Sequence, residues 1–142
     1  MDLKFKRMHE KAVLPAKGRE KDAAYDLVAT EEIIDVENRN LTYKLGWAVE
    51  IPVGHVGILA ARSSVTNKDI VMGNSVGIID ENYRGELMVK FKSVLPRGAR
   101  KYDVGDRVAQ LMIVPVLNLK PVEVKELSTT DRGEAGWGSS GS

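Results

Sequence analysis

The sequence of 142 residues contains no cysteine and only two histidines. Disulfides, thiolate nucleophiles and zinc–thiolate sites are therefore excluded, and His9 and His55 are too few for a multi-histidine metal centre. An excess of charge of one sign is also missing, because 21 Lys and Arg face 20 Asp and Glu, a net charge of +1. This balance argues against a nonspecific nucleic-acid binder, which usually carries a strong basic excess. We expect any anionic ligand to be small and locally bound.

Long apolar runs are missing as well. The first residues carry charges where a signal peptide needs about 7–15 apolar residues. The longest apolar stretch, 108–117, is interrupted by Gln110 and Pro115 and is shorter than the roughly 20 residues of a membrane-spanning helix. We therefore expect no membrane contact and a cytoplasmic location, or the host cytoplasm if the gene is viral.

The apolar residues that are present alternate with polar ones at period two. Alternation over 41–51 predicts one strand, alternation over 87–92 predicts a second, and the near-continuous run 108–116 suits a strand buried on both faces. Only 63–69 is suited to a short helix, with Ser63 or Ser64 as the N-cap. Because Gly and Pro separate short strands throughout the chain, we predict an all-β sandwich or barrel of the jelly-roll kind.

The C-terminal residues have a different composition. From Ser128 onward the sequence has almost no aliphatic side chains, so we divide the chain into a β-barrel domain, 1–127, and a flexible arm, 128–142. One interpretation is a disordered end or a Gly/Ser linker. The other is a mobile nucleotide-binding lid, in which Arg132, glycines and hydroxyls contact phosphates and Trp137 stacks on a base.

Three internal clusters also have two interpretations each. Arg62-Ser63-Ser64 is either an anion site at a helix start or a plain N-cap. Asp80, which follows an Ile78-Ile79 pair expected to anchor its segment, is either a turn former or a general base. Asp106-Arg107 is either a structural salt bridge or part of a site that continues to Gln110.

Taken together and in order, these segments resemble the five motifs of the trimeric dUTPase family. The matching segments are 23–27, 62–64, 77–86, 105–111 and 132–141, with Asn74 at the expected distance before the third. The sequence departs from the usual pattern at a few positions. Alanine or serine replaces the usual residue at Ala24, Ala61, Ala135 and Ser140, and Trp137 replaces phenylalanine.

The resemblance implies a dUTPase-type jelly roll and a homotrimer with shared active sites. It also implies that the protein cuts dUTP to dUMP and pyrophosphate with Mg²⁺, which lowers dUTP and supplies dUMP for dTTP synthesis. The Mg²⁺ ion would be held mainly through substrate phosphates and water, and no direct protein ligand is assigned.

The resemblance also implies a role for each motif residue. Asp80 would be the catalytic base, and Tyr83 would pack beneath the sugar and reject a 2′-hydroxyl. Asn74 and the backbone near Ser75 would read uracil, and Trp137 would stack over it. The phosphates would be bound by Arg62, Ser63, Ser64 and Gln110, and by Arg132, Ser139 and Ser140 from the arm. Asp26 and Gly77 would support the site.

Two alternatives remain open at this stage. The related dCTP deaminases share the fold and the serine-arginine cluster, although the tyrosine of the third segment and the glycine-rich end resemble dUTPase. The chain is alternatively a binding or regulatory protein on a dUTPase scaffold, with a protein partner if the gene is viral.

Overall fold

Nearly all of the regular secondary structure in the described part of the chain consists of short β-strands. The computed structural model describes residues 2–136, and all structural statements below concern that part of the chain. The strands are β1 Lys4–Arg7, β2 Tyr25–Val28, β3 Glu31–Asp35, β4 Asn40–Lys44, β5 Trp47–Glu50, β6 His55–Ala61, β7 Ile70–Met72, β8 Val76–Ile79, β9 Met88–Ser93 and β10 Arg107–Pro115. A single turn of 3-10 helix, Ser63–Asn67, follows β6.

The strands form two four-stranded antiparallel sheets and a two-stranded ribbon. One sheet has the order β2-β10-β6-β8, the other has the order β3-β4-β9-β7, and β1 pairs with β5. The predicted all-β fold is confirmed. Within residues 2–136, no helix has the length and apolar character needed to cross a membrane.

The core consists of the inward-facing residues of both sheets. Leu59 and Leu111 from one sheet and Tyr43 and Phe91 from the other are fully buried, and Tyr102 joins them from the loop before β10. The Tyr43 and Phe91 rings meet edge to face, with centroids 5.9 Å apart and an angle of 72° between their planes. Aromatic pairs of this kind add about 0.5–1.5 kcal/mol beyond the burial of their surface. Burial and the nearby carboxylate of Glu32 raise the pKa of Tyr43, so its hydroxyl stays a hydrogen-bond donor.

The prediction of one continuous strand over 41–51 is wrong. The segment forms β4 and β5, which belong to different sheets and are separated by Leu45 and Gly46. Gly46 has φ +71°, and a Cβ there would overlap Ala12 and Thr30. The buried half of the alternation is correct, because every odd-numbered residue from Leu41 to Ile51 is buried. The outward half fails at Gly46 and Ala48, which are buried as well. Period-two patterning identifies the buried side and does not reveal where a strand leaves one sheet for another.

The prediction that 108–116 is buried on both faces holds only for its first half. Val108, Ala109 and Leu111 have no exposed surface, whereas Val114 and Val116 are exposed by 40% and 50%. The reason is pairing: β10 lies between β2 and β6 only as far as Leu111, after which β6 is its single neighbour.

The helix predicted over 63–69 is a 3-10 turn with a different cap. Its N-cap position is Arg62, whose side chain makes no capping hydrogen bond, so the predicted cap at Ser63 or Ser64 is wrong. The Ser63 carbonyl accepts a hydrogen bond from Thr66 Oγ1, and Ser64 Oγ lies 2.8 Å from the hydroxyl of Tyr102. The Ser64 hydroxyl is therefore paired with Tyr102, and a residue of the same turn, Thr66, binds the Ser63 backbone.

The ion pair between Asp69 and Arg100 makes the stability of the fold depend on pH in the acidic range. Asp69 accepts hydrogen bonds from Arg100 Nε, Nη2 and backbone N at 2.8–2.9 Å, and these bonds lower its pKa from 3.8 to about 2. Because the folded-state pKa is depressed, the stabilisation is complete above pH 3.8 and is lost as the pH falls toward 2. We expect Asp69→Asn to lower the melting temperature at pH 7 and to reduce its fall between pH 4 and pH 2. Thermal unfolding checks this; an acid response equal to that of wild type, or of an Asp131→Asn control on the exposed arm, would contradict it.

Candidate active site

Two arginines converge on one aspartate where β2, β6 and β10 meet. Asp26 on β2 lies 2.7 Å from Arg62 Nε, just after β6, and 3.2 Å from Arg107 Nη1 at the start of β10. Antiparallel pairing of β10 with both β2 and β6 brings these three residues together. The salt bridge considered from sequence between Asp106 and Arg107 is not the one formed, because Arg107 pairs with Asp26 and Asp106 accepts from the backbone N–H of Asp103. The arginines are thus oriented with positive charge beside the neighbouring cleft.

This cleft has a volume of about 380 Å³ and contains groups suited to an anion. Asp26, Arg62, Ser63 and Gln110 line it, together with Asp22 from the loop before β2. Gln110 Nε2 donates to the carbonyl of Ala61 at 2.9 Å, which fixes the amide and leaves its second N–H toward other acceptors. Ser63 is exposed. A guanidinium, a hydroxyl and an amide N–H are the donors that phosphate oxygens accept. We name this set the basic cleft.

Ser64 belongs to the same turn but faces another partner. Its Oγ pairs with the hydroxyl of Tyr102 at 2.8 Å, and the ring of Tyr102 is buried against Phe91. Lys68 Nζ lies 5.1 Å from the centroid of the same ring. The position of Ser64 is therefore fixed by a buried tyrosine of the core.

A second cleft, about 480 Å³ in volume, follows the turn between β7 and β8. Asn74 and Gly77 line it, and Asn74 is exposed. Ser75 adopts φ +61°, a left-handed conformation that costs a non-glycine residue free energy and is often found at functional turns. Gly77 is buried and pairs with Leu59, where a Cβ would lie only 3.2 Å from the leucine Cβ. The exposed amide of Asn74 and the strained backbone at Ser75 thus lie on one hairpin.

Asp80 and Tyr83 line a third, smaller cleft of about 110 Å³ directly beyond β8. The Asp80 carbonyl accepts from Tyr83 N at 3.0 Å, forming a turn, and the Tyr83 hydroxyl donates to the carbonyl of Glu86 at 3.1 Å. Asp80 is exposed. The expectation that Ile78 and Ile79 both anchor this segment is wrong, because Ile79 packs on the core and Ile78 is exposed by 58%. Strand alternation explains the difference.

The second and third clefts adjoin, since Ile78, Ile79 and Met88 line both. We call the combined surface the β8 groove. Asn74, Gly77, Asp80 and Tyr83 all line this groove. None of the residues of the basic cleft does.

Strand register gives the separation between the β8 groove and the basic cleft. Ile79 pairs with Gly57 on β6, so Asp80 lies level with Val56, whereas Arg62 follows the other end of β6. About six residues of extended strand, roughly 20 Å, therefore separate Asp80 from Arg62 within one chain. The β8 groove and the basic cleft share no lining residue, so within one chain these two groups lie on separate surfaces.

The arm contributes a single described candidate. Arg132 is exposed, and its Nε donates to the carbonyl of Ala135 at 3.0 Å within a local turn. Trp137, Ser139 and Ser140 lie outside the described residues. The last strand ends at Pro115, and every described residue from 116 to 136 is exposed.

Comparison with known proteins decides the family. The family model described as dUTPase matches residues 10–141. The chain belongs to the dUTPase family.

Curated and solved relatives agree over nearly the whole length. The chain is 36% identical to the deoxyuridine 5′-triphosphate nucleotidohydrolase of Crocosphaera subtropica over 99% of both chains, and 36% identical to that of Clostridium acetobutylicum. The latter match covers 99% of this chain and 97% of its relative. A variant of the dUTPase of Staphylococcus bacteriophage 80alpha, solved with dUpNHpp, superimposes with a TM-score of 0.85 at 30% identity over 99% of each chain. A dUTPase variant from phage phi11, solved to describe a structural Mg(II) ion, gives a TM-score of 0.75 at 28% identity over 89% of this chain and 98% of its own.

Three contacts of this dUTPase family member were not anticipated from sequence. They are the pairing of Arg107 with Asp26, that of Tyr102 with Ser64, and that of Glu86 with the backbone N–H of Gly46. Arg107 and Glu86 lie within the segments that resemble the family motifs. Their position indicated a role at the site but did not indicate their contact partners. No sequence signal marked Tyr102.

Proposed function

We infer that this member of the dUTPase family hydrolyses dUTP to dUMP and pyrophosphate. The family match over 10–141 carries this inference, and the β8 groove, which presents an exposed carboxylate beside a tyrosine ring, supports it. The reaction removes dUTP and supplies dUMP for dTTP synthesis. The direct test is pyrophosphate release from dUTP against other nucleotides, and ammonia release from dCTP tests the deaminase alternative. We place the protein in the cytoplasm, or in a host's cytoplasm if the gene is viral.

In the proposed mechanism Asp80 acts as the base. Its carboxylate accepts a proton from a water that attacks the α-phosphorus, and it holds the 3′-hydroxyl of the deoxyribose. Tyr83 packs beneath the sugar, where a 2′-hydroxyl would meet the ring. The exposure of Asp80 beside Tyr83 leaves room for both contacts.

The base is read on the same groove. Asn74 and the backbone at Ser75 recognise the edge of uracil by hydrogen bonds, and Gly77 allows the close packing on Leu59 that positions them. A site that pairs a donor and an acceptor with its substrate rejects an analogue lacking them far better than an apolar pocket does.

The basic cleft binds the phosphates in this proposal. Arg62, Ser63 and Gln110 line the cleft and donate to phosphate oxygens, while Asp26 orients Arg62 through the contact at 2.7 Å. Ser64, on the same turn, donates its hydroxyl proton to a phosphate when Tyr102 is the donor in their shared hydrogen bond. Charge neutralisation and positioning are the main requirements of phosphoryl transfer, because the protein does little covalent chemistry in it.

The oxygen atoms that line the basic cleft are of the kind that Mg²⁺ binds. Asp22 provides a carboxylate oxygen and Gln110 an amide oxygen, whereas both oxygens of Asp26 already accept from Arg62 and Arg107. Mg²⁺ prefers hard oxygen ligands while keeping several waters. We propose that substrate phosphates and water hold the ion and that these side chains lie around it. When bound, Mg²⁺ neutralises phosphate charge. Among residues 2–136 no group of three or more His, Cys, Asp or Glu side chains is arranged to hold a metal ion.

We propose that the active site forms between copies of the chain in a homotrimer. The support is the separation of roughly 20 Å between Asp80 and Arg62, which a neighbouring copy can close by placing its basic cleft against the β8 groove. Ile78 and Met88, exposed by 58% and 40% on that groove, are apolar residues suited to burial by another copy.

We propose the division into a domain, 1–127, and an arm, 128–142, whose Arg132, Trp137, Ser139 and Ser140 close over the substrate. Apolar side chains on the approach to the arm support a docked position on another copy, because they are exposed in one chain. They are Leu117, Leu119, Val122, Val124 and Leu127.

Deleting the residues after Thr130 should leave a folded oligomer with poor hydrolysis. The deletion removes the proposed lid and no strand, so we expect an unchanged circular dichroism spectrum and a fall of about 100-fold in kcat/KM for dUTP. The control is Glu123→Gln, an exposed upstream substitution. Normal activity in the shortened chain would remove the lid assignment.

A regulatory role is a second proposal. A dUTPase of phage 80alpha, 30% identical with a TM-score of 0.84, is described as controlling transfer of virulence genes by a G protein-like mechanism. If this chain is viral, we propose that it has a similar role. The test is to identify a protein partner and to measure whether its affinity for this chain changes when dUpNHpp is bound.

A further inference from the structure

Gly85 lies on the loop between Asp80 and β9, and a side chain fits there only if the ring of Tyr83 moves. A Cβ at this position would overlap the ring of Tyr83, with Oη, Cζ and Cε2 of the tyrosine as its three nearest atoms. The backbone of Gly85 is not among those with positive φ, so alanine can adopt its conformation without strain. The requirement for glycine is therefore steric and is directed at one neighbouring ring.

The other contacts of the Tyr83 ring keep it over Gly85. Its hydroxyl donates to the carbonyl of Glu86 at 3.1 Å, and Glu86 Oε1 accepts from Gly46 N at 3.1 Å. Leu87 is fixed in turn, because its N–H donates to the carbonyl of Trp47 at 2.7 Å. The loop is thus tied to the break between β4 and β5, and the ring is held by the loop's own backbone.

We propose that Gly85 is a positioning residue that sets the discrimination between deoxyribose and ribose by leaving space for the Tyr83 ring. This inference rests on the proposed function and concerns the same site. Tyr83 is 41% exposed, so a Cβ at position 85 pushes the ring toward the cleft or out to solvent without disturbing the core. In either position, the ring no longer forms the surface that excludes a 2′-hydroxyl.

The test compares kcat/KM for dUTP and UTP in wild type and Gly85→Ala. We expect the ratio of kcat/KM for dUTP to kcat/KM for UTP to fall by about tenfold or more in Gly85→Ala. The reason is that the displaced ring no longer excludes the 2′-hydroxyl, which is the single group that distinguishes the two substrates. A purely structural defect lowers both values together and leaves their ratio unchanged. Glu81→Gln is the control on the same loop, since glutamine keeps an oxygen for the bond that Gly54 N donates at 2.8 Å, and it should keep the wild-type ratio.

A double-variant cycle with Tyr83→Ala removes the remaining ambiguity. If Gly85 acts only through the ring, adding Gly85→Ala to Tyr83→Ala should leave the ratio unchanged. If Gly85→Ala alone does not fold, folding of the double variant upholds the contact, and failure of both overturns it. A folded Gly85→Ala with the wild-type ratio also overturns the proposal. Failure of wild type to hydrolyse dUTP would instead refute the proposed function.

Discussion

Replacing Asp80 with asparagine is expected to lower kcat for dUTP by about 10²–10⁴-fold and to preserve tight dUTP binding. The amide keeps the size of the carboxylate and can still bond to the 3′-hydroxyl, but it cannot take a proton from the attacking water. Because Asp80 is exposed at the end of β8, the substitution leaves no buried group without a partner. Steady-state pyrophosphate release gives kcat, and titration with dUpNHpp gives the affinity.

The neighbouring Glu81→Gln is the matched control for Asp80→Asn. Glu81 Oε2 accepts from Gly54 N at 2.8 Å, and glutamine retains an oxygen for this bond. We therefore expect Glu81→Gln to change kcat little, which separates the base from general loss of negative charge on the loop. An unchanged kcat in Asp80→Asn would refute the role of Asp80.

If the chain forms the proposed homotrimer, two inactive variants should restore dUTP hydrolysis when both are present in one trimer. Arg62→Gln damages the basic cleft and Asp80→Asn damages the β8 groove, and in one chain these surfaces are roughly 20 Å apart. If each active site combines the groove of one copy with the cleft of the next, every mixed trimer regains about one intact site of three. The measurement is dUTP hydrolysis by separately tagged variants that are co-expressed and purified through both tags.

Recovery of activity in the mixed trimers depends on whether the β8 groove and the basic cleft of one active site come from the same copy or from different copies. Mixed trimers that stay as inactive as either pure variant would mean that both surfaces serve a site within one copy. The control places both substitutions in one chain and mixes it with wild type, which should not exceed the activity of the wild-type copies present.

Much of the fold follows from alternation in the sequence. Period-two patterning identified the buried sides of the segments around Tyr43 and Phe91 correctly, and the continuous apolar run at Val108 identified the buried first half of β10. It did not predict the break at Gly46, because a buried side continues across it while the strand changes partners. The burial of β10 also depends on how far β2 extends beside it, which local sequence does not encode.

The candidate site was predictable by residue type and less so by contact. The motif order supplied Asp80, Tyr83, Arg62 and the other candidate residues. Many of them lie on loops, whereas Asp26, Gly77 and Gln110 lie within strands. The partners of these residues come from distant parts of the chain: Arg107 is 81 residues from Asp26, and Tyr102 is 38 residues from Ser64. Such pairs depend on sheet register, and register is a property of the folded chain.

The measurement that tests the central claim most directly is pyrophosphate release, with Mg²⁺ present, from dUTP, dCTP, dTTP and UTP in parallel. The proposed groove reads the uracil edge through Asn74 and the sugar through Tyr83. We therefore expect rapid release from dUTP and, for each of the other three, a kcat/KM lower by orders of magnitude. Release of ammonia from dCTP, or equal hydrolysis of dUTP and UTP, would contradict the account.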